Sequence, residues 1–248
     1  MPKSSNALKR AIFPGVVAVI SLAAFLFLYQ LLIRTTVAPM QWKGLPFAVP
    51  FLCFVLIAAL AAAGKLRMGP TVILTILTMV LLTGSSACYA FYLSMEIAST
   101  PVTDSQRYEK ALTLLQYPNY PETSQFPSVI PEEAKQVYFL YSPAFLQGSE
   151  RLCLKFETTP EALRAYRESV EKRAVWMGNP DQCDTQTTGV YPGAASVFDY
   201  ATDGIPPDLT LYVTYSKPSR HHDWNHGTTS FVAISEARNE ILFSYQRS

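Results

Sequence analysis

The sequence is short of the features by which function is usually read. Its 248 residues hold four cysteines and three histidines. No C-x-x-C occurs, so a zinc knuckle or a thioredoxin-type redox pair has no support. There is no excess of charge of either sign: formal net charge is +1. With neither a basic block nor an acidic tail, the footprint of a nucleic-acid binder is missing. No G-x-x-x-x-G-K-[ST], G-x-G-x-x-G or G-x-S-x-G is found, which leaves nucleotide, dinucleotide and α/β-hydrolase readings without their signatures. Internal repeats and low-complexity tracts are absent too.

What the chain does have is a division. Residues 11–97 are overwhelmingly apolar, and 98–248 carry most of the charge. Three apolar runs stand out, Ala11–Ile33, Pro46–Ala63 and Thr71–Met95. A spanning helix takes about 20 mostly apolar residues, so the runs predict three membrane helices, the second the shortest. The first is too long for a removed signal peptide and is followed at once by more apolar sequence. No Asp, Glu, Lys, Arg or His lies inside a run, and intramembrane ionisable groups are what mark ion pathways and proton relays. The helices therefore read as an anchor. Small residues at Ala58–Gly64 and Thr83–Ala87 would let it pack on itself or form an oligomer.

Orientation follows from the basic residues. Lys3, Lys9, Arg10, Lys65 and Arg67 fall on one side, against Arg34, Lys43, Arg107 and Lys110 on the other. Basic residues favour the cytoplasmic side, so the N-terminus is expected in the cytoplasm and the C-terminal domain outside it. Trp42, Tyr29, Tyr89 and Tyr92 lie near span ends, where aromatic rings prefer the interface.

The remainder, 98–248, predicts an α+β domain with an antiparallel sheet of about five strands and one or two helices on it. Thr103 or Asp104 caps a helix reaching about Gln116. Prolines 118, 121 and 127 then exclude helix interior. Pro131–Ala134 reads as one helical turn. Strands are expected at 137–141 and 151–157 by alternation. Thr159-Pro160 opens the clearest helix, its buried face Leu163, Tyr166, Val170, Ala174 and Met177. Arg164, Arg167, Glu168, Glu171 and Lys172 point mostly to water. Gly178-Asn179-Pro180 ends it. Residues 181–207 read as irregular, with a turn around Ala194–Tyr200. Strands at 209–215, 231–235 and 241–245 close the chain.

Several short motifs coincide: Phe126-Pro127, Ile130-Pro131, Tyr141-Ser142-Pro143, Phe145-Leu146-Gln147-Gly148, Trp224-Asn225-His226-Gly227 and Asn239-Glu240-Ile241. In them the soluble part resembles a family of bacterial membrane-anchored proteins with no assigned function. The resemblance implies an integral protein of the bacterial plasma membrane exposed to the cell envelope. It supplies no substrate or catalytic residue.

All three histidines fall in one loop, Arg220-His221-His222-Asp223-Trp224-Asn225-His226-Gly227. Imidazole and carboxylate suit a transition metal, so His221, His222, Asp223 and His226 are the candidate ligands. Against this, adjacent histidines on an extended chain point opposite ways, and no H-E-x-x-H spacing is present. A solvated or hydrogen-bonded loop is the competing reading, with Trp224 covering the core edge. Trp224, Asn225 and His226 are also the candidate partner or ligand surface. Cys153 lies on the polar-patterned face of its strand and Cys183 in the loop after the main helix. If that loop folds across that face, the two are candidates for a disulfide outside the cytoplasm. Two free thiols is the alternative. Asp181, Asp184, Asp199, Asp203 and Asp208 are too dispersed for a calcium loop. The adjacent Glu132 and Glu133 cannot flank a glycosidic bond. The tyrosines at 138, 141, 191, 200, 212, 215 and 245 fit cross-strand packing better than a ligand groove.

The expectation is a non-enzymatic membrane-anchored protein whose extracytoplasmic domain binds a protein partner or small ligand, with the bilayer as its other partner and no nucleic acid. The alternatives are a metal-dependent enzyme built on the histidine loop and a structural subunit of a membrane complex.

Overall fold

Long apolar segments become helices in a bilayer because the helix satisfies every backbone N–H and C=O internally. α1 (Lys3–Thr35), α2 (Val49–Ala62) and α3 (Met68–Ser99) do so in the computed structural model, which describes residues 3–144, 148–190, 198, 205–218 and 224–248. Three stretches are long and apolar enough to cross a membrane: Leu8–Thr35, Gln41–Ala62 and Met68–Ser99. Their outward side chains, such as Val19, Phe27, Val80 and Leu81, are largely exposed, as lipid-facing residues must be. The second span gains length over the apolar run because a 3-10 segment, Gln41–Ala48, leads straight into α2. That segment is tied to α3 by the Lys43–Glu96 ion pair and by the Tyr89 hydroxyl donating to the Lys43 carbonyl at 2.8 Å. α1 packs along α2 through Val17, Ala18, Phe54 and Ile57. Gly84, in the small-residue stretch of α3, meets nothing within 4 Å, so this glycine makes no close helix contact.

The chain divides into two units, Met1–Ile97 and Ala98–Ser248. The second is an α+β fold with a six-stranded antiparallel sheet in the order β1-β2-β6-β5-β4-β3. Its strands are β1 (Lys135–Ser142), β2 (Glu150–Glu157), β3 (Trp176–Gly178), β4 (Thr210–Lys217), β5 (Thr228–Ser235) and β6 (Glu240–Arg247). One row of paired residues, Phe139, Leu154, Phe243, Val232 and Tyr212, crosses five strands on one face. α4 (Tyr108–Leu114) and α5 (Pro160–Glu171) pack there. Tyr108 sits edge-on to Phe139 at 5.8 Å, and Tyr166 edge-on to Phe243 at 5.7 Å. The proline-rich segment joins them, with Phe126 against Phe243. On the opposite face Cys153, Phe231, Val213, Leu211 and Leu242 form a cluster closed by Val190, Phe198 and Leu209. Segments between β3 and β4 thus cover the second face.

Helix starts follow the capping residues read from the sequence. The Asp104 carboxylate accepts from the Gln106 N–H at 3.1 Å, and the Thr159 hydroxyl oxygen accepts from the Ala162 N–H at 3.2 Å. Three readings need correction. Pro131–Ala134 is a turn closed by Ala134 N–H to Pro131 O, not a helical turn. The sheet has six strands, not five. The sixth is β3, taken from sequence expected to extend α5: the helix ends at Glu171 and Met177 is exposed. Val175 and Trp176 are β-branched and aromatic, and here the sheet ladder outweighs the helical stripe, with Val175 N–H bonding Val213 O at 2.7 Å. The loop after β3 also holds a short helix, α6 (Thr185–Thr188), capped by Asp184. Phe145-Leu146-Gln147, the expected turn at Ala194–Tyr200 other than Phe198, and Asp203 lie outside the described residues.

Candidate functional site

The histidine loop is described from Trp224 onward, so His221, His222 and Asp223 lie outside the described residues. Of the four candidate metal ligands His226 alone is described, and it is exposed. Among the described residues no group of three or more His, Cys, Asp or Glu is arranged to hold a metal ion.

Trp224 begins the short 3-10 turn Trp224–His226 and is buried, with 8% of its surface exposed. Its indole N–H donates to the Gln186 carbonyl at 2.8 Å. The ring lies against two glycines. A Cβ on Gly189, whose φ is +71°, would stand 2.3 Å from the ring, and one on Gly227 would stand 2.6 Å from it. Thr229 donates to the Thr188 carbonyl at 3.0 Å and Ser216 to the Thr187 carbonyl at 3.2 Å. The Trp-Asn-His-Gly motif therefore works as an anchor that fastens α6 to the ends of β4 and β5. Its tryptophan covers the core edge.

Cys153 and Cys183 are both free thiols. The segment after β3 does fold across the Cys153 face, and Cys183 packs against the cluster that contains Cys153. The expected bridge is nonetheless not formed, and each thiol has another partner. Cys153 is on β2, with its thiol bonded to Ser244 of β6. Cys183 bonds Thr188 at 3.2 Å, and the Thr188 carbonyl is held by Thr229 on β5, two strands from β2. Burial pushes the Cys153 thiol up to about 12, against smaller opposing effects of Ser244 and Arg151. Burial also raises Cys183, partly offset by the Thr188 hydrogen bond.

A second polar constellation closes one end of the sheet. The Glu150 carboxylate accepts from the Tyr141 hydroxyl at 3.3 Å and the Tyr245 hydroxyl at 3.2 Å, and pairs with Arg247 at 2.8 Å. Burial raises both phenols well above the ordinary tyrosine range, and the neighbouring Glu150 charge adds to it. They stay protonated donors. The adjoining cavity, of about 80 Å³, suits a few waters rather than an organic substrate, so this group is a lock on β1, β2 and β6.

Another feature among the described residues is open to solvent. A cleft of about 310 Å³ runs between the first turns of α5 and the β5–β6 turn. Leu163 and Ile234, both buried, lie beneath it and expose little apolar surface. Arg164, Arg167, Glu236 and Asn239 supply its polar lining. Arg167 is engaged by Glu236 and stands 3.8 Å from Glu171. Asn239 holds φ +51°, a conformation asparagine tolerates better than most residues, and its carbonyl accepts from the Thr158 N–H at 2.9 Å. Sequence reading took both arginines as water-facing. The available signal was their spacing of three on a helix beside Leu163, which places them on one edge of the buried stripe.

Compared with known proteins, the chain matches no family model, no curated protein and no solved structure.

Proposed function

We propose that the protein is a membrane-anchored component of the bacterial cell envelope. Its α+β domain lies outside the cytoplasm and binds a partner or small ligand. The observation that carries the binding role is the α5 cleft. At about 310 Å³ it reaches the lower end of the size range of small-ligand pockets, and Arg164, Arg167, Glu236 and Asn239 converge on it. The cleft shares no lining residue with the Glu150 group or the Trp224 anchor.

The placement is supported by the basic residues. Arg10 donates to the Leu66 carbonyl at 3.4 Å, so the start of α1 and the α2–α3 turn form one end of the helical unit. Lys9, Arg10, Lys65 and Arg67 collect there. The opposite end holds Arg34 and Lys43, and Lys43 is paired with Glu96. The richer end is expected in the cytoplasm, and three spans then carry the C-terminal domain to the other side.

Fusing alkaline phosphatase or a fluorescent protein to the C-terminus tests the placement. An active phosphatase with a dark fluorescent fusion is expected, and the reverse would overturn the envelope assignment. The binding role is tested by a broad hydrolysis screen on the purified full chain. Turnover that tracks the protein through every purification step would replace binding with catalysis.

A further inference from the structure

We propose that the α5 cleft takes a small ligand carrying an oxyanion, a carboxylate or a phosphate ester. This rests on the reading of the cleft as the binding site and names the chemistry it selects.

The argument starts from the two arginines. Residues three apart on a helix are surface neighbours, so Arg164 and Arg167 line the same wall. Their electrostatic situations differ. Arg167 is held by Glu236 across the cleft and by Glu171 a turn further along, which makes it a fixed part of the wall. Arg164 has no carboxylate within ion-pair distance among the described residues. Its guanidinium fork is free to accept a bidentate oxyanion, the geometry for which arginine is better suited than lysine. The lining holds two guanidinium groups against one carboxylate, so a cation is disfavoured. A neutral ligand would leave the Arg164 fork unused.

Beneath the cleft Leu163 and Ile234 are 4% and 3% exposed, so they add little apolar surface and the polar lining decides what binds. An oxyanion there meets the Arg164 fork through charge-assisted hydrogen bonds. The Asn239 amide adds a neutral polar group at the other side, able to orient a ligand without reversing its charge preference. Carboxylate and phosphate share this chemistry, so probes of both kinds are required.

The test uses the full chain in nanodiscs of phosphatidylcholine, which adds no net anionic lipid. Benzoate, phenyl phosphate and the uncharged benzamide are titrated separately by saturation-transfer NMR. Benzoate, phenyl phosphate or both are expected to bind, with benzamide at least about tenfold weaker, the scale of a lost charge-assisted hydrogen bond. Arg164→Ala should weaken the oxyanion probes by a similar factor without moving the unfolding transition, because the side chain is exposed. Arg164→Lys should restore part of the loss. Benzoate alone identifies a carboxylate site and phenyl phosphate alone a phosphate site, and either supports the proposal. Benzamide binding as well as the anions, unchanged in Arg164→Ala, would overturn the oxyanion assignment while leaving a binding cleft. No binding of any probe at millimolar concentration would overturn both the assignment and the cleft as the binding site.

Discussion

The Trp224 anchor makes a prediction whose size can be worked from the structure. Gly189 ends α6 in the left-handed region at φ +71°. Alanine there carries a left-handed penalty of roughly 1–2 kcal/mol. Its Cβ would also stand 2.3 Å from the Trp224 ring, far inside van der Waals contact, and forcing atoms into a packed site adds about 1–3 kcal/mol. Gly189→Ala should therefore cost about 2–5 kcal/mol in all. Trp224→Ala should cost about 3–5 kcal/mol through the cavity and lost burial. The two effects are not independent. Removing the indole removes the obstacle to the new methyl group, so Gly189→Ala in a Trp224→Ala background should cost only the backbone part, about 1–2 kcal/mol. The coupling, about 1–3 kcal/mol, falls within the range measured for residues in contact. Urea unfolding of the second unit in detergent, followed by far-ultraviolet circular dichroism, supplies the four stabilities. Strict additivity, or a Gly189→Ala cost below about 0.5 kcal/mol, would refute the anchor.

Three further outcomes follow from named groups. The Asp208 carboxyl is held below its ordinary range: burial alone would raise it, but hydrogen bonds from Ser235 at 2.6 Å and Arg238 at 2.7 Å outweigh that. A depressed carboxyl contributes stability that is full above its unfolded pKa, near 4, and is lost as pH falls through the lower folded value. Asp208→Asn should thus lower stability at pH 7 and flatten its decline between about pH 5 and 2; an unchanged acid profile would contradict this. With Cys153 pushed up to about 12, its thiolate fraction at pH 8 is on the order of 10⁻⁴. Iodoacetamide should label the half-buried Cys183 in the native protein and Cys153 only in denaturant, and a native disulfide-linked peptide would reverse the assignment. Thr159→Ala should cost about 1 kcal/mol by removing the α5 cap, and Thr159→Ser should recover most of it.

How much of this was legible depends on how local the cause is. The three spans are a matter of run length, and α5 announced itself by Thr159-Pro160, where the hydroxyl does cap the helix. Alternation placed β4, β5 and β6 for the same reason, since period two is written in the strand itself. β3 was hidden because three residues have no periodicity of their own, and its existence rests on pairing with Val213, Tyr212 and Leu211. The burial of Cys153 was hidden by its neighbours. Arg151, Lys155 and Glu157 make that face look wet, yet Lys155 lies over the Tyr138 ring and donates to the Phe198 carbonyl at 2.8 Å. A long amphipathic side chain can mark the border of a core as easily as open water.

The candidate site was the least legible part, and its construction says why. The cleft needs α5 and the β5–β6 turn to meet, and their lining residues stand some seventy positions apart, as Arg167 and Glu236 do. What brings them together is register. Ser235 pairs with Glu240 and Ile234 with Ile241, which lets Glu236 and Asn239 protrude as a tight turn at the sheet end. On its own strand Ile234 reads as core, and on its own helix Arg167 reads as solvated; both readings are locally right. The histidine loop drew the eye because its residues are chemically rich and adjacent in sequence, yet adjacency there produces a structural anchor in Trp224. The α5 cleft has ordinary residues, and its proposed selectivity comes from one arginine held by carboxylates while its neighbour three positions earlier has none within ion-pair distance among the described residues. That difference is a property of the fold rather than of either arginine. A neutral substitution tests it: Glu236→Gln should loosen Arg167 and strengthen benzoate binding while Arg164 is present, whereas an equal gain in an Arg164→Ala background would refute the patterning.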